Sequence, residues 1–175
     1  MKHGLLAISV SLLLSSCATN DKNPLDVALK HLNPTPNALP PITLTVAPDL
    51  IPDYQAFIET ANKYHVNLNS RLRNVVLVDS LDSNNANTRT VGLCTVAATS
   101  DGRVAYRDVQ ILKGMANDPI LLRVIMFHEL GHCLLGLDHT GTENKEIMDA
   151  IIDIDDAYAV ENWDSLVQFE FNSVK

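Results

Sequence analysis

Nowhere in these 175 residues is there a cluster of lysine or arginine, and acidic residues outnumber basic ones 21 to 13, for a formal charge of −8. A surface without a basic stripe has no electrostatic footprint for a phosphate backbone, which argues against nucleic acid as a partner. No apolar run is long enough to cross a bilayer as a mature helix; the one from Gly4 to Leu14 falls short. Internal repeats are missing too, and with them solenoid and propeller architectures. What remains is ordinary globular material: 46% hydrophobic and 19% charged residues, enough for a packed core. The length suits one domain with a tail.

The tail comes first. "MKHGLLAISVSLLLSSC" has one early basic residue, an apolar run, then small residues before Cys17, the layout of a secretory signal. "LSSC" resembles the lipobox of bacterial lipoproteins, in which the signal is cut ahead of the cysteine and that cysteine is acylated. The resemblance implies a signal peptide over 1–16, a lipidated Cys17 with a loose, proline-containing tether to residue 40, and a folded domain over 41–175. It implies a lipid anchor in the bacterial cell envelope. Ala18, where an Asp would resemble the inner-membrane retention signal, favours the outer membrane, facing the periplasm or the cell surface. A plain secretory signal with an incidental Cys17 is the alternative. In either case Cys94 and Cys133 meet an oxidising compartment, where a disulfide and two buried free thiols are both compatible with the sequence.

Within the domain, "ITLTVA" (42–47) alternates like a strand, and 51–66 places Tyr54, Phe57, Ile58, Ala61 and Tyr64 at helical spacing. "NVVLVDSL" (74–81) is a β-branched run that suits a buried strand. After a polar loop, 90–99 and 103–112 read as two strands joined at Asp101-Gly102, a hairpin signal because glycine tolerates positive φ. Asp118-Pro119 opens a helix that should run to about Leu135 and stop at Gly136. A last helix over 155–169 is expected to pack Val160, Trp163, Leu166 and Val167. The order β-α-β-β-β-α-α makes this an α+β fold, a mixed sheet with a central helix and a C-terminal helix.

That central helix poses a problem. Between Pro119 and Leu137 the only charged or strongly polar residues are Arg123, His128, Glu129 and His132, with apolar residues on nearly every other side. Burying two imidazoles and a carboxylate is costly unless each has a partner, and one bound cation would serve all three. Residues four apart on a helix lie about 40° apart around its axis, so His128 and His132 project from one face at a separation that can chelate zinc. Glu129 points roughly 100° away, beside such a metal without ligating it, where a carboxylate can take a proton from water. Two histidines under-hold a zinc ion. After Gly136 turns the chain back, His139 or the adjacent Asp138 is the candidate third ligand.

"HELGHCLLGLDH", followed by "EIMDA", resembles the active-site helix and Met-turn of the metzincin clan of zinc endopeptidases, especially matrix metalloproteinase-type sites. The family pattern is H-E-x-x-H-x-x-G-x-x-H with a methionine in a tight turn beneath the zinc. His128 and His132 match the first two ligands, Glu129 the general base and Met148 the Met-turn residue. The resemblance covers about twenty residues. Here three residues, Cys133, Leu134 and Leu135, separate His132 from Gly136 where the family has two. Counted strictly from His128, the third ligand falls on Asp138; counted from the glycine turn, it falls on His139. The reading favours His139, because one extra helical residue is easier to absorb before the turn than inside it. No proline follows Met148.

The resemblance implies a small metzincin-like (zincin) domain holding one Zn2+ per chain on His128, His132 and His139, with Glu129 as the catalytic base for peptide-bond hydrolysis. It implies a peptide or protein substrate, with strand 103–112 as a candidate edge for pairing with it; an ordinary strand inside the sheet is the equal alternative. Tyr106 and Tyr158 are candidates for stabilising an oxyanion. The competing reading is a zinc-stabilised envelope lipoprotein that binds a partner without cleaving it; the intact Glu129 speaks against it. A third makes Cys94 a thiolate ligand. His31 and His65 are isolated. Asp149, Asp153, Asp155 and Asp156 do not follow the order of a twelve-residue calcium loop and read as a solvated turn and helix N-terminus.

Overall fold

β-branched and small apolar residues supply four strands: β1 (Thr45–Val46), β2 (Leu72–Val78), β3 (Gly92–Ala98) and β4 (Val104–Leu112). They form one mixed sheet in the order β1-β2-β4-β3, parallel except for the antiparallel β3–β4 pair. The computed structural model describes residues 38–81, 90–141, 145–150, 152 and 154–174. The expected signal segment, Cys17, most of the tether with His31, the polar loop and Asp153 lie outside them. The chain divides into Met1–Leu39 and Pro40–Lys175, and every element named here belongs to the second unit. Among the described residues no helix is long and apolar enough to cross a membrane.

The hairpin between β3 and β4 closes where Asp101-Gly102 predicts, with Gly102 at φ +83° and the Thr99 N–H donating to the Arg103 carbonyl at 2.8 Å. β4 is not the candidate edge but an ordinary strand inside the sheet, the other of the two readings its sequence allows. β2 claims its second side in parallel register, Val75 opposite Val109, so both of its hydrogen-bonding edges are spent. β3 is the outer strand, with no strand on its other side among the described residues. β1 is shorter than expected, pairing only Thr45 with Asn74 and Val46 with Val75 before Pro48 opens a 3₁₀ turn.

Three α-helices complete the unit: α1 (Ile51–Lys63), α2 (Pro119–Leu130) and α3 (Asp156–Asn172). α1 stops short of Val66 because His65 turns left-handed, at φ +55°, and the Val66 N–H closes back on the Ala61 carbonyl at 3.0 Å. α2 begins as its sequence requires: Pro119 occupies the first turn, and the Asp118 carboxylate accepts from the N–H groups of Ile120 and Leu121 at 3.1 and 3.0 Å. From Leu122 to Leu130 it is buried at every position except Arg123, packed against β3, β4, α1 and α3. Phe57 of α1 meets Phe127 edge-on with centroids 5.2 Å apart, and Trp163 of α3 meets Phe127 at 4.9 Å. Arg123 reaches out to the buried Asp53, its Nε 2.9 Å from Oδ1.

α3 buries Ala159, Leu166, Val167, Glu170 and Phe171. Val160, expected in the core, is 65% exposed, because the packed stripe runs through Ala159 one residue round the helix. Glu170 is fully buried, and neither carboxyl oxygen finds a hydrogen-bond partner among the described residues. Burial drives its pKa well above the usual 4.5, so the folded protein keeps its proton. The unfolded chain releases that proton near pH 4.5, so the associated stability is full below that pH and is lost as pH rises toward the folded-state value. Glu170→Gln, which cannot titrate, should therefore gain stability over the parent progressively above pH 4.5, by at most about 1.4 kcal/mol per pH unit. Denaturant melts of both proteins between pH 4.5 and 8 check this; a difference that stays constant with pH contradicts it.

Candidate metal centre

α2 does not end as an ordinary helix. Gly131–Leu135 forms one π-helical turn, and the Gly136 N–H closes it on the Gly131 carbonyl. A π turn holds one more residue than an α turn, so this is where the additional residue between His132 and Gly136 is taken up. Leu134, left with a free carbonyl by the wider turn, accepts from the Asn69 N–H at 2.7 Å. Gly136 then adopts φ +71°, ψ 28°, the left-handed region that glycine enters without strain, and the chain reverses.

This geometry brings His139, not Asp138, to the two helical histidines. The Nε2 atom of His132 lies 3.1 Å from that of His128 and 3.1 Å from that of His139; His139 and His128 are 3.3 Å apart. Asp138 is exposed, outside this three-histidine group. The Nδ1–H of His128 donates to the Ile147 carbonyl and that of His132 to the Leu137 carbonyl, both at 2.6 Å. A carbonyl can only accept, so both rings carry their proton on Nδ1 and turn an Nε2 lone pair toward the same point. Burial lowers the pKa of His128 to about 4 and that of His132 also, which holds both rings neutral.

Two facing lone pairs with no proton between them repel, and a cation removes the conflict. A tetrahedral ion with nitrogen bonds of about 2.0–2.1 Å separates its ligand nitrogens by about 3.3 Å, so the three residues fit a metal ion. The group is graded in exposure, with His128 buried, His132 half-buried and His139 exposed, so the cluster opens to solvent on the His139 side.

Glu129 is 5% exposed and packs on the start of β3. A Cβ on Gly92 would stand 2.5 Å from Glu129 Oε1 and 2.7 Å from its Cγ, so only glycine at position 92 leaves room for this side chain. Burial raises the Glu129 pKa to about 7, against the opposing pull of the Cys94 backbone N–H, which donates to it. A cation beside it would draw that value down again.

Cys94 and Cys133 are joined as a disulfide, so Cys94 is no thiolate ligand in this structure. The bridge fastens β3 to the residue after His132 and closes a loop of 39 residues, contributing about 4 kcal/mol in the chain-entropy picture. Met148 is buried: its Sδ stands 2.6 Å from where a Cβ on Gly131 would be, and Gly131 lies between His128 and His132 in sequence. Tyr106 instead lies under the Arg73 guanidinium at 3.5 Å, and Tyr158 under the Lys145 ammonium at 4.8 Å.

Sequence reasoning missed Gly92, Gly131, Glu170 and Asp149. Glu170 had a signal, standing three residues after Val167 and four after Leu166, on the apolar stripe of α3. Asp149, expected in a solvated turn, is 2% exposed; Asp155 does cap a helix, accepting from the Tyr158 N–H at 2.8 Å. No protein family, no curated protein and no solved structure matches this chain.

Proposed function

We propose that this chain is a zinc-dependent endopeptidase with a metzincin-like active site, acting on peptides or proteins outside the cytoplasm from a lipid anchor at Cys17. The observation that carries the reading is the convergence of three histidine Nε2 atoms within 3.3 Å, two with Nδ1–H groups committed to carbonyls, with the buried Glu129 next to His128 in the chain and outside their group. His128, His132 and His139 would hold the ion. Three protein ligands and an open side are the pattern of catalytic zinc, whereas structural zinc is closed by four. Bound there, zinc supplies a Lewis acid for the scissile carbonyl and an acidified water.

Glu129 would accept a proton from water and return it to the leaving amine, the work of a general base that then acts as acid. Gly92 and the Cys94 N–H keep Glu129 against β3. β3 in turn has its outer edge available to pair with an extended peptide through backbone hydrogen bonds, which select for shape more than sequence. The test is metal analysis of the purified full chain by native mass spectrometry together with digestion of a diverse peptide library. One zinc per chain and cleaved peptides are expected. No zinc, even after its addition, refutes the metal site; zinc without cleavage leaves a zinc-stabilised envelope binding protein.

A further inference from the structure

We propose that Asp149 is the positioning residue of the metal site, clamping the return loop so that His139 and His128 are presented to the ion together; this rests on the metal reading above. Asp149 follows Met148 and is 2% exposed, a costly place for a carboxylate unless donors reach it. Its Oδ1 accepts from the hydroxyl of Thr140, the residue directly after His139, at 3.2 Å. Its Oδ2 accepts from the backbone N–H of Glu146 at 3.2 Å. One carboxylate thus ties the segment leaving the third ligand to the segment returning beneath the site.

The backbone repeats that connection on either side. The Thr140 N–H donates to the Met148 carbonyl at 3.0 Å, and the Ala150 N–H to the Gly141 carbonyl at 2.8 Å. The turn that Asp149 closes also contains Ile147, whose carbonyl orients the His128 ring at 2.6 Å. Residues 146–150 therefore control two of the three ligands at once: His128 through Ile147, and His139 through Thr140. His139 needs such support most. It is exposed and comes from a loop, whereas His128 and His132 are held by helical backbone.

Partners of this kind typically carry a ten- to hundredfold effect on metal affinity. In the full chain, Asp149→Ala should weaken zinc binding by about 10- to 100-fold in chelator competition, and should alter the visible spectrum of the cobalt-substituted protein. Asp149→Asn should stay within a few-fold of the parent: its amide oxygen can accept from Glu146 while its NH2 donates to the Thr140 hydroxyl. If Asp149→Ala does not fold, Thr140→Val, which removes the hydroxyl alone, should show the same direction of loss and Thr140→Ser should restore binding.

A merely structural Asp149 would lower the melting temperature of the metal-free protein and leave the affinity and cobalt spectrum of the folded protein unchanged, which overturns the proposal. Equal losses in Asp149→Ala and Asp149→Asn overturn the clamp in favour of charge alone. If the parent chain binds no zinc at all, the metal reading fails first and this inference falls with it.

Discussion

Glu129→Gln is expected to leave folding and zinc content unchanged while peptide cleavage falls by at least about a hundredfold, the scale of general-base removal. The substitution keeps the volume of a side chain wedged 2.5 Å from the Cβ position of Gly92, so packing against β3 survives. The amide oxygen can still accept from the Cys94 N–H. What disappears is the carboxylate next to His128 in the chain, the group assigned to take up a proton from water. If the parent chain cleaves peptides as proposed, its activity should fall on acidification as Glu129 becomes protonated, and the residual activity of the variant should lack that acid limb. Measuring zinc and turnover on the same samples separates the outcomes. Loss of zinc would make Glu129 a ligand and overturn its assignment as base; retained turnover would move the base elsewhere.

A comparable loss, read in metal and not in rate, is expected at the third ligand. Structural zinc sites bind with about 10–16 kcal/mol over four ligands, roughly 3 kcal/mol each, so His139→Ala should weaken zinc binding by about a hundredfold or more. Asp138→Ala, altering an exposed neighbour outside the histidine group, should have an effect of a few-fold at most. The two alanine variants, titrated against the same chelator, decide between the spacing counted from His128 and the spacing counted from Gly136. The reverse ranking would mean that the π turn of Gly131–Leu135 is not kept when metal binds.

How much of this was in the sequence depends on the range of the interaction concerned. The helix that carries His128, Glu129 and His132 was written locally. Asp118-Pro119 can start a helix and Gly136 can end one, and residues four apart share a face by helical geometry alone. The β3–β4 hairpin was equally local, because Asp101-Gly102 permits a turn with positive φ whatever surrounds it. His139 was only half determined. Sequence supplied the glycine turn and a histidine three residues beyond, but that His139 and not Asp138 joins the helical histidines follows from a π turn whose freed carbonyl is taken by Asn69, more than sixty residues away in sequence.

Everything that depends on which strand lies beside which was left to tertiary structure. Strand 103–112 could be an open edge or an ordinary sheet strand, since the hairpin makes its two strands equivalent until β2 pairs with one of them. Gly92 and Glu129 show no relation in sequence, nor does Asp149 with Thr140, because a close approach between separate segments leaves no periodic trace. The two cysteines were compatible with a bridge or with free thiols until the fold set Cys94 beside Cys133. Spacing along the chain thus determined which residue types project together from one helix, because backbone geometry over four residues is nearly invariant. The third histidine of the cluster, the setting of Glu129 and the outer strand were decided by contacts between segments, whose energies come from packing and hydrogen bonds that no single stretch contains.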